Sequence, residues 1–144
     1  MRNSLPPRMP ELRLQPPPIA QLIGFEPVEL DSGRAVFQLE VDPAQHANPM
    51  GTVHGGVLCD LADAAMGYAY ASSLADDETF TTVELKMNFL RPVWQGRIYA
   101  HAQLVSRGRT LGLVGCDIAD ASGKLVARAS STCMTLRGHQ AEGR

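Results

Sequence analysis

The residues best suited to chemistry lie in one stretch, residues 48–74, which reads NPMGTVHGGVLCDLADAAMGYAYASSL. Asp60 and Asp63 interrupt a segment that is otherwise apolar, and a buried carboxylate is costly unless it is paired, neutralised or used. Gly55 and Gly56 lie at the predicted start of a helix, where the first N–H groups have no intrahelical partners. Such a helix end suits a carbonyl oxygen that becomes negative during a reaction, although the glycines could also simply bend the chain into the helix.

The spacing of these residues implies a second copy of the chain. Asp63 lies seven residues after Gly56, which is roughly 10–12 Å along a helix at 1.5 Å per residue. Asp63 therefore cannot reach a group held at the start of its own helix, but it can in a dimer whose two helices lie antiparallel across a two-fold axis. Spacing alone does not separate Asp63 from Asp60, about 60° away round the helix, and both could instead face water.

The elements that would position these residues are one helix and a set of strands. The helix, predicted over residues 56–73, is apolar on every side and rich in small residues, which is typical of a buried helix that a sheet can approach closely. Five stretches show the period-two alternation of half-buried antiparallel strands: 34–41, 81–90, 97–106, 110–119 and 124–136. We therefore expect an α+β fold in which a curved antiparallel sheet wraps around one long central helix.

Within the second of these stretches the alternation divides the side chains into two sets. Val83, Leu85, Met87 and Phe89 are predicted on one face of the strand, and Thr82 on the other with Glu84, Lys86 and Asn88.

The length of 144 residues favours one domain. Residues 1–18 are predicted to be a proline-rich flexible arm, residues 19–136 the folded domain, and residues 137–144 a flexible tail. Residues 19–25 indicate a short helix that ends at Gly24.

Composition and missing motifs exclude several classes of protein. A net charge of −2 offers no broad attraction for nucleic acid or for a membrane surface. No secretory signal or apolar run of about 18 residues is present, so we expect a cytoplasmic protein. The chain has no GxSxG, HExxH, Walker or GxGxxG motif, and its four histidines lack metal-ligand spacing. We expect no metal and no cofactor, and the three cysteines are interpreted as small buried side chains.

A combination of motifs resembles a known family. The pattern N-x-x-G-x-x-H-G-G (residues 48–56), followed by L-x-D (residues 61–63) and NFLRP (residues 88–92), is similar to that of the hot-dog-fold acyl-CoA thioesterases of the PaaI-like, phenylacetate-pathway type. The resemblance extends over about residues 19–136. It implies the same helix-in-sheet fold, a homodimer or a dimer of dimers, and Asp63 as the catalytic general base or nucleophile. It also implies that the backbone N–H of Gly55 polarises the thioester carbonyl of the other subunit's site.

The resemblance also implies roles for further residues. Asn48 and His54 match residues that shape the loop and assist near the leaving thiolate or nucleophile, and Thr82 matches a hydroxyl that holds the attacking water. Gly56 is placed at the substrate. Arg107 and Arg109 lie where the family commonly meets the phosphates of coenzyme A, and arginine suits phosphate through charged bidentate bonds.

Structural alternatives remain for two of these assignments. His54 could simply bond the backbone at the helix entry, and two arginines in a hairpin could be solvated.

The sequence thus predicts an enzyme that hydrolyses a small, medium-length or aromatic acyl-CoA to the free acid and CoA. Two other functions stay open. A hydratase or dehydratase on the same fold could use His54 with Asp63, and a non-catalytic protein could bind acyl-CoA without cleaving it.

Overall fold

The computed structural model describes residues 15–144, so residues 1–14 of the predicted arm lie outside the described part. Helix α1 spans Pro18–Ile23, and its proline at the first position is compatible with a helix start. Gly24 ends it with a φ of 97°, a left-handed conformation that glycine adopts without a steric penalty, and donates its N–H to the Ala20 carbonyl. The short helix predicted to end at Gly24 is confirmed.

Six antiparallel strands form one sheet in the order β1-β2-β4-β5-β6-β3. They are β1 Glu26–Asp31, β2 Arg34–Val41, β3 Thr79–Phe89, β4 Gly96–Arg107, β5 Leu111–Asp120 and β6 Leu125–Leu136. A short helix α2 spans Pro43–His46, the long helix α3 spans Gly55–Ala71, and a 3₁₀ turn spans Gly138–Ala141. Helix α3 contacts all six strands, so the predicted α+β arrangement of a sheet wrapped around one long helix is confirmed.

The prediction of five strands was wrong by one, because the sequence gives little sign of β1. This strand carries a proline, has mostly exposed side chains, and pairs with β2 through a register shift between Pro27 and Glu29. It is an edge strand, where proline and charged residues are tolerated because one side of the backbone has no neighbour. The chain turns from β1 into β2 at Ser32 and Gly33, where Gly33 has a φ of 71°.

A bulge in β3 overturns one detail of the predicted alternation. The pairing of β3 with β6 shifts between Thr82 and Glu84, so Val83 is the extra residue and is 52% exposed. Thr82 consequently lies opposite the fully buried Cys133 and on the same face as Leu85, towards α3. The sequence had assigned Val83 to that face and Thr82 to the opposite one.

The composition of α3 predicted a helix that is buried on every side, but the structure buries only one of its faces. One face packs into the core through the side chains Val57, Leu58, Leu61, Ala62, Ala65, Met66, Ala69 and Tyr70. The other face stays partly accessible in the single chain and carries Gly56, Asp60, Asp63 and Gly67. The helix therefore has an open stripe of small and acidic residues, and both aspartates lie on it.

Candidate active site

A buried histidine holds the loop that leads into α3. The ring of His46 is 4% exposed, and its Nδ1 accepts the Asp42 N–H at 2.9 Å while its Nε2 donates to the Ile23 carbonyl at 2.7 Å. The His46 carbonyl in turn accepts the N–H of His54 at 2.8 Å. His46 thus ties α1, α2 and the start of α3 together, which is a structural function.

Asn48 shapes the tight turn before the helix. Its Oδ1 accepts the N–H groups of Met50 at 3.0 Å and Thr52 at 3.1 Å, and its Nδ2 donates to the Thr52 hydroxyl at 2.9 Å. Gly51 adopts a φ of 89° within this turn. Asn48 therefore fixes the conformation of this turn through three hydrogen bonds.

The start of α3 distinguishes the two glycines. His54 is the N-cap, and its Nδ1 accepts the Gly56 N–H at 2.9 Å. Gly56 therefore has its N–H occupied, whereas the Gly55 N–H has no hydrogen-bond partner within residues 15–144. Because His54 Nδ1 accepts this bond, the neutral ring carries its proton on Nε2. The free donor at the positive end of the helix is thus Gly55, and the Phe89 ring packs directly against it.

Asp63 lies two turns further along α3, next to the bulge of β3. The Thr82 hydroxyl donates to Asp63 Oδ1 at 3.4 Å, a long contact, and lies 3.9 Å from Cys133 Sγ. Burial raises the pKa of Asp63, the hydrogen bond from Thr82 acts in the opposite direction, and the negative charge of Asp60 adds to the increase. A carboxylate with a raised pKa is a stronger base than an ordinary aspartate.

Both aspartates open onto a cleft beneath α1, which we name the α1 cleft. It has a volume of about 250 Å³ and is lined by Pro17, Ile19 and Ala20 of the α1 segment, by Phe25 and Phe37, and by Asp60, Asp63 and Tyr68 of α3. The Tyr68 ring packs edge-on against Phe37, with 4.9 Å between centroids. The α1 cleft thus combines mostly apolar walls with polar groups on one side, as ligand sites do.

A second cleft lies at the start of α3, which we name the Gly55 cleft. Its volume is about 440 Å³, and its lining includes Asn48, Thr52, Gly55, Phe89 and Arg91. Gly55 and Asp63 are eight residues apart on one helix, about 12 Å along its axis. Within one chain the free N–H and the carboxylate therefore belong to different clefts.

The two arginines assigned to CoA have different surroundings. Arg107 is half-buried: its Nε donates to the Ser73 hydroxyl at 3.0 Å, its guanidinium lies 5.1 Å from the Tyr70 ring centre, and its Nη2 is 3.8 Å from Glu78. Arg137 makes a closer ion pair with the same Glu78 oxygen, at 2.6 Å. The Arg109 side chain, by contrast, is exposed at the tip of the β4–β5 hairpin. Arg107 thus joins the hairpin to the end of α3.

The sequence did not indicate Tyr68 or Phe89 as site residues, although each lines one of these clefts. Tyr68 lies four and eight residues after Ala64 and Asp60, so helical spacing alone places all three on one side of α3. Phe89 belongs to the NFLRP motif, but only the chain's folding brings its ring onto Gly55.

The described residues contain no cluster of three or more His, Cys, Asp or Glu side chains arranged to hold a metal ion. Among residues 15–144, no helix is both long and apolar enough to cross a membrane.

Comparison with known proteins gives consistent matches. Residues 50–127 match the family model described as the thioesterase superfamily. The acyl-coenzyme A thioesterase PaaI of Escherichia coli is 34% identical over 110 residues, which cover 75% of each chain. The 1,4-dihydroxy-2-naphthoyl-CoA hydrolase of Listeria monocytogenes is 33% identical over 108 residues, 75% of this chain and 87% of the relative. The solved structure of the Escherichia coli PaaI protein superposes with a TM-score of 0.81 at 28% identity, covering 90% of this chain and 91% of that one.

Proposed function

The chain belongs to the thioesterase superfamily and is a thioester hydrolase with the PaaI-like hot-dog fold, and on that premise we propose how it cleaves its substrate and which groups act. The substrate is an acyl-CoA whose acyl group is small, of medium length or aromatic. The products are the free acid and CoA. The observation that carries the proposal is Asp63, a carboxylate of raised pKa that is hydrogen-bonded to Thr82 at the wall of an apolar cleft.

The reaction needs one base and one donor. The Gly55 N–H donates to the thioester carbonyl oxygen and stabilises the negative charge that develops there. Asp63, with Thr82 beside it, takes a proton from water as the water oxygen attacks the carbonyl carbon. The carbon–sulfur bond then breaks, and the thiolate of CoA leaves and takes up a proton. Direct attack by the Asp63 carboxylate, followed by hydrolysis of the anhydride, would use the same groups.

A homodimer supplies both groups to one site. The separation of Gly55 from Asp63 prevents one chain from using its own pair, whereas antiparallel α3 helices bring the Gly55 of one chain to the Asp63 of its partner. Two features support such pairing. Strand β3 is an edge of the sheet with its outer backbone groups unpaired within residues 15–144, and its exposed side chains include Val83 and Phe89. The accessible stripe of α3 carries small residues that allow close packing.

The groups around the site have separate tasks in this proposal. Asn48 holds the loop, and His54 caps α3 so that Gly55 keeps a free N–H, while its Nε2 proton serves near the leaving thiolate. The Gly56 N–H is occupied by His54, so Gly56 contributes by leaving space for the substrate. Arg109, which is exposed, is better placed than the bonded Arg107 to meet a CoA phosphate.

The test is release of free thiol from acetyl-, hexanoyl- and phenylacetyl-CoA by the wild type, Asp63→Asn and the control Asp77→Asn. Asp77 lies in an exposed loop, and its substitution removes the same charge. Loss of the base should lower kcat by about 10²–10⁴-fold, with the fold unchanged by circular dichroism. Full activity of Asp63→Asn would refute the assignment.

Two further outcomes address the other functions. A dehydratase that relies on His54 should lose nearly all activity in His54→Ala, whereas the thioesterase should keep a measurable part. If the acyl-CoAs raise the melting temperature of the wild type but release no thiol, the protein binds them without cleaving them.

A further inference from the structure

The α1 cleft holds one carboxylate that the proposed reaction does not use. Asp60 lines the cleft together with Asp63, and its side chain makes no hydrogen bond or ion pair with any described residue. It is half-buried. Within residues 15–144 no side chain neutralises this carboxylate, so its position on the cleft wall affects whatever the cleft receives.

Helical geometry places Asp60 along the path of a bound acyl group. Asp60, Ala64 and Tyr68 follow one another at intervals of four residues, which puts them on one side of α3, and Asp63 lies beside Ala64. All four line the α1 cleft, and the small Ala64 side chain leaves its centre open. An acyl group whose thioester carbon lies at Asp63 therefore extends along a wall with Asp60 at one end and Tyr68 at the other.

Among the described residues that line this cleft, the charged side chains are the two acidic ones, Asp60 and Asp63. None of the described residues that line it is basic, and the walls opposite α3 are apolar side chains of the α1 segment, β1 and β2. Apolar walls reduce the screening that water provides, so two negative charges repel an anion there more strongly than they would on an open surface. A hydroxyl or an apolar group meets no such repulsion.

We propose that Asp60 is a specificity-determining residue that excludes acyl groups carrying a carboxylate at their far end. The substrates are then thioesters of monocarboxylic acids with uncharged acyl groups. This inference rests on the proposed thioesterase function, because it assumes that the acyl group enters the α1 cleft.

The experiment compares two substrates of equal chain length, hexanoyl-CoA and adipoyl-CoA, which differ at the far end by a methyl group against a carboxylate. Their CoA portions are identical, so the ratio of the two kcat/KM values reports on the acyl end alone. The wild type should favour hexanoyl-CoA, and Asp60→Asn should raise relative turnover of adipoyl-CoA by about tenfold, equivalent to about 1.4 kcal/mol. The control Asp77→Asn should leave the ratio unchanged. Asp60→Ser gives a second neutral side chain in case the amide disturbs the helix.

The outcomes separate this inference from the function beneath it. An unchanged hexanoyl-to-adipoyl ratio in both Asp60 variants overturns the role of Asp60 while thiol release from hexanoyl-CoA keeps the enzyme assignment intact. Equal use of both substrates by the wild type also overturns it. If Asp63→Asn remains fully active, the proposed site itself fails. Raising the salt concentration should reduce the wild-type discrimination, because the proposed cause is Coulombic repulsion.

Discussion

Gly112 of β5 packs against Tyr70 of α3, and replacing it with alanine should destabilise the protein strongly. A Cβ atom at this position would lie 2.4 Å from Cε2 of Tyr70 and 2.9 Å from the backbone oxygen of Ser106. Neither neighbour can move easily. Tyr70 is fully buried and its hydroxyl is 2.7 Å from that of Thr135, while Arg107 stacks on its ring.

The cost follows from this lack of space. Overpacking a rigid site typically lowers the free energy of unfolding by about 1–3 kcal/mol. Because the new methyl group would meet both the backbone and a fixed ring, Gly112→Ala should lower it by about 3 kcal/mol. For a chain of 144 residues that is a decrease of about 10 °C in Tm. Gly115→Ala is the matched control on the same strand, because its Cβ would meet only Val105 Cγ2 at 3.6 Å, an ordinary contact.

Urea denaturation followed by circular dichroism, at one protein concentration for all variants, measures both changes. Gly115→Ala should be unchanged or up to about 1 kcal/mol more stable, since alanine restricts the unfolded chain more than glycine does. Equal denaturation midpoints for the two variants would refute the reasoning, because it depends on the difference in their surroundings.

The remaining predictions concern pH and thiol chemistry. The base must be ionised to act, so kcat/KM should rise with pH through the pKa of Asp63. Because the Thr82 hydroxyl lowers that pKa, Thr82→Val should move the acid limb of the pH profile to higher pH. Thr82→Ser is the control, since it keeps the hydroxyl. A limb that moves to lower pH in the valine variant would contradict this assignment. Burial raises the pKa of Cys116 to about 12 and also raises those of Cys59 and Cys133. At pH 8 the native protein should therefore react slowly with a disulfide reagent, Cys59 first, and unfolding should release three reactive thiols per chain. Rapid reaction of all three in the native state would show that the core is open.

Much of the fold was predictable because its signals are local. The alternation of apolar and polar residues predicted five of the six strands, and the alanine-rich apolar run predicted α3 to within two residues at either end. β1 was missed because an edge strand has neither a buried face nor a need for a full set of backbone donors, so its sequence carries no strong pattern.

The sequence by itself determined the candidate chemistry: an acidic residue within an apolar helix, glycines at that helix's start, and a spacing too long for one chain to join them. The tertiary structure decided which atoms are free to act. His54 occupies the Gly56 N–H and leaves that of Gly55, and a bulge against β6 turns Thr82 towards Asp63. The tertiary structure also brings Arg107 to Ser73, so that the Arg107 Nε donates to the Ser73 hydroxyl. These contacts depend on side-chain geometry and on the register between strands distant in sequence, which no local pattern of residue types encodes.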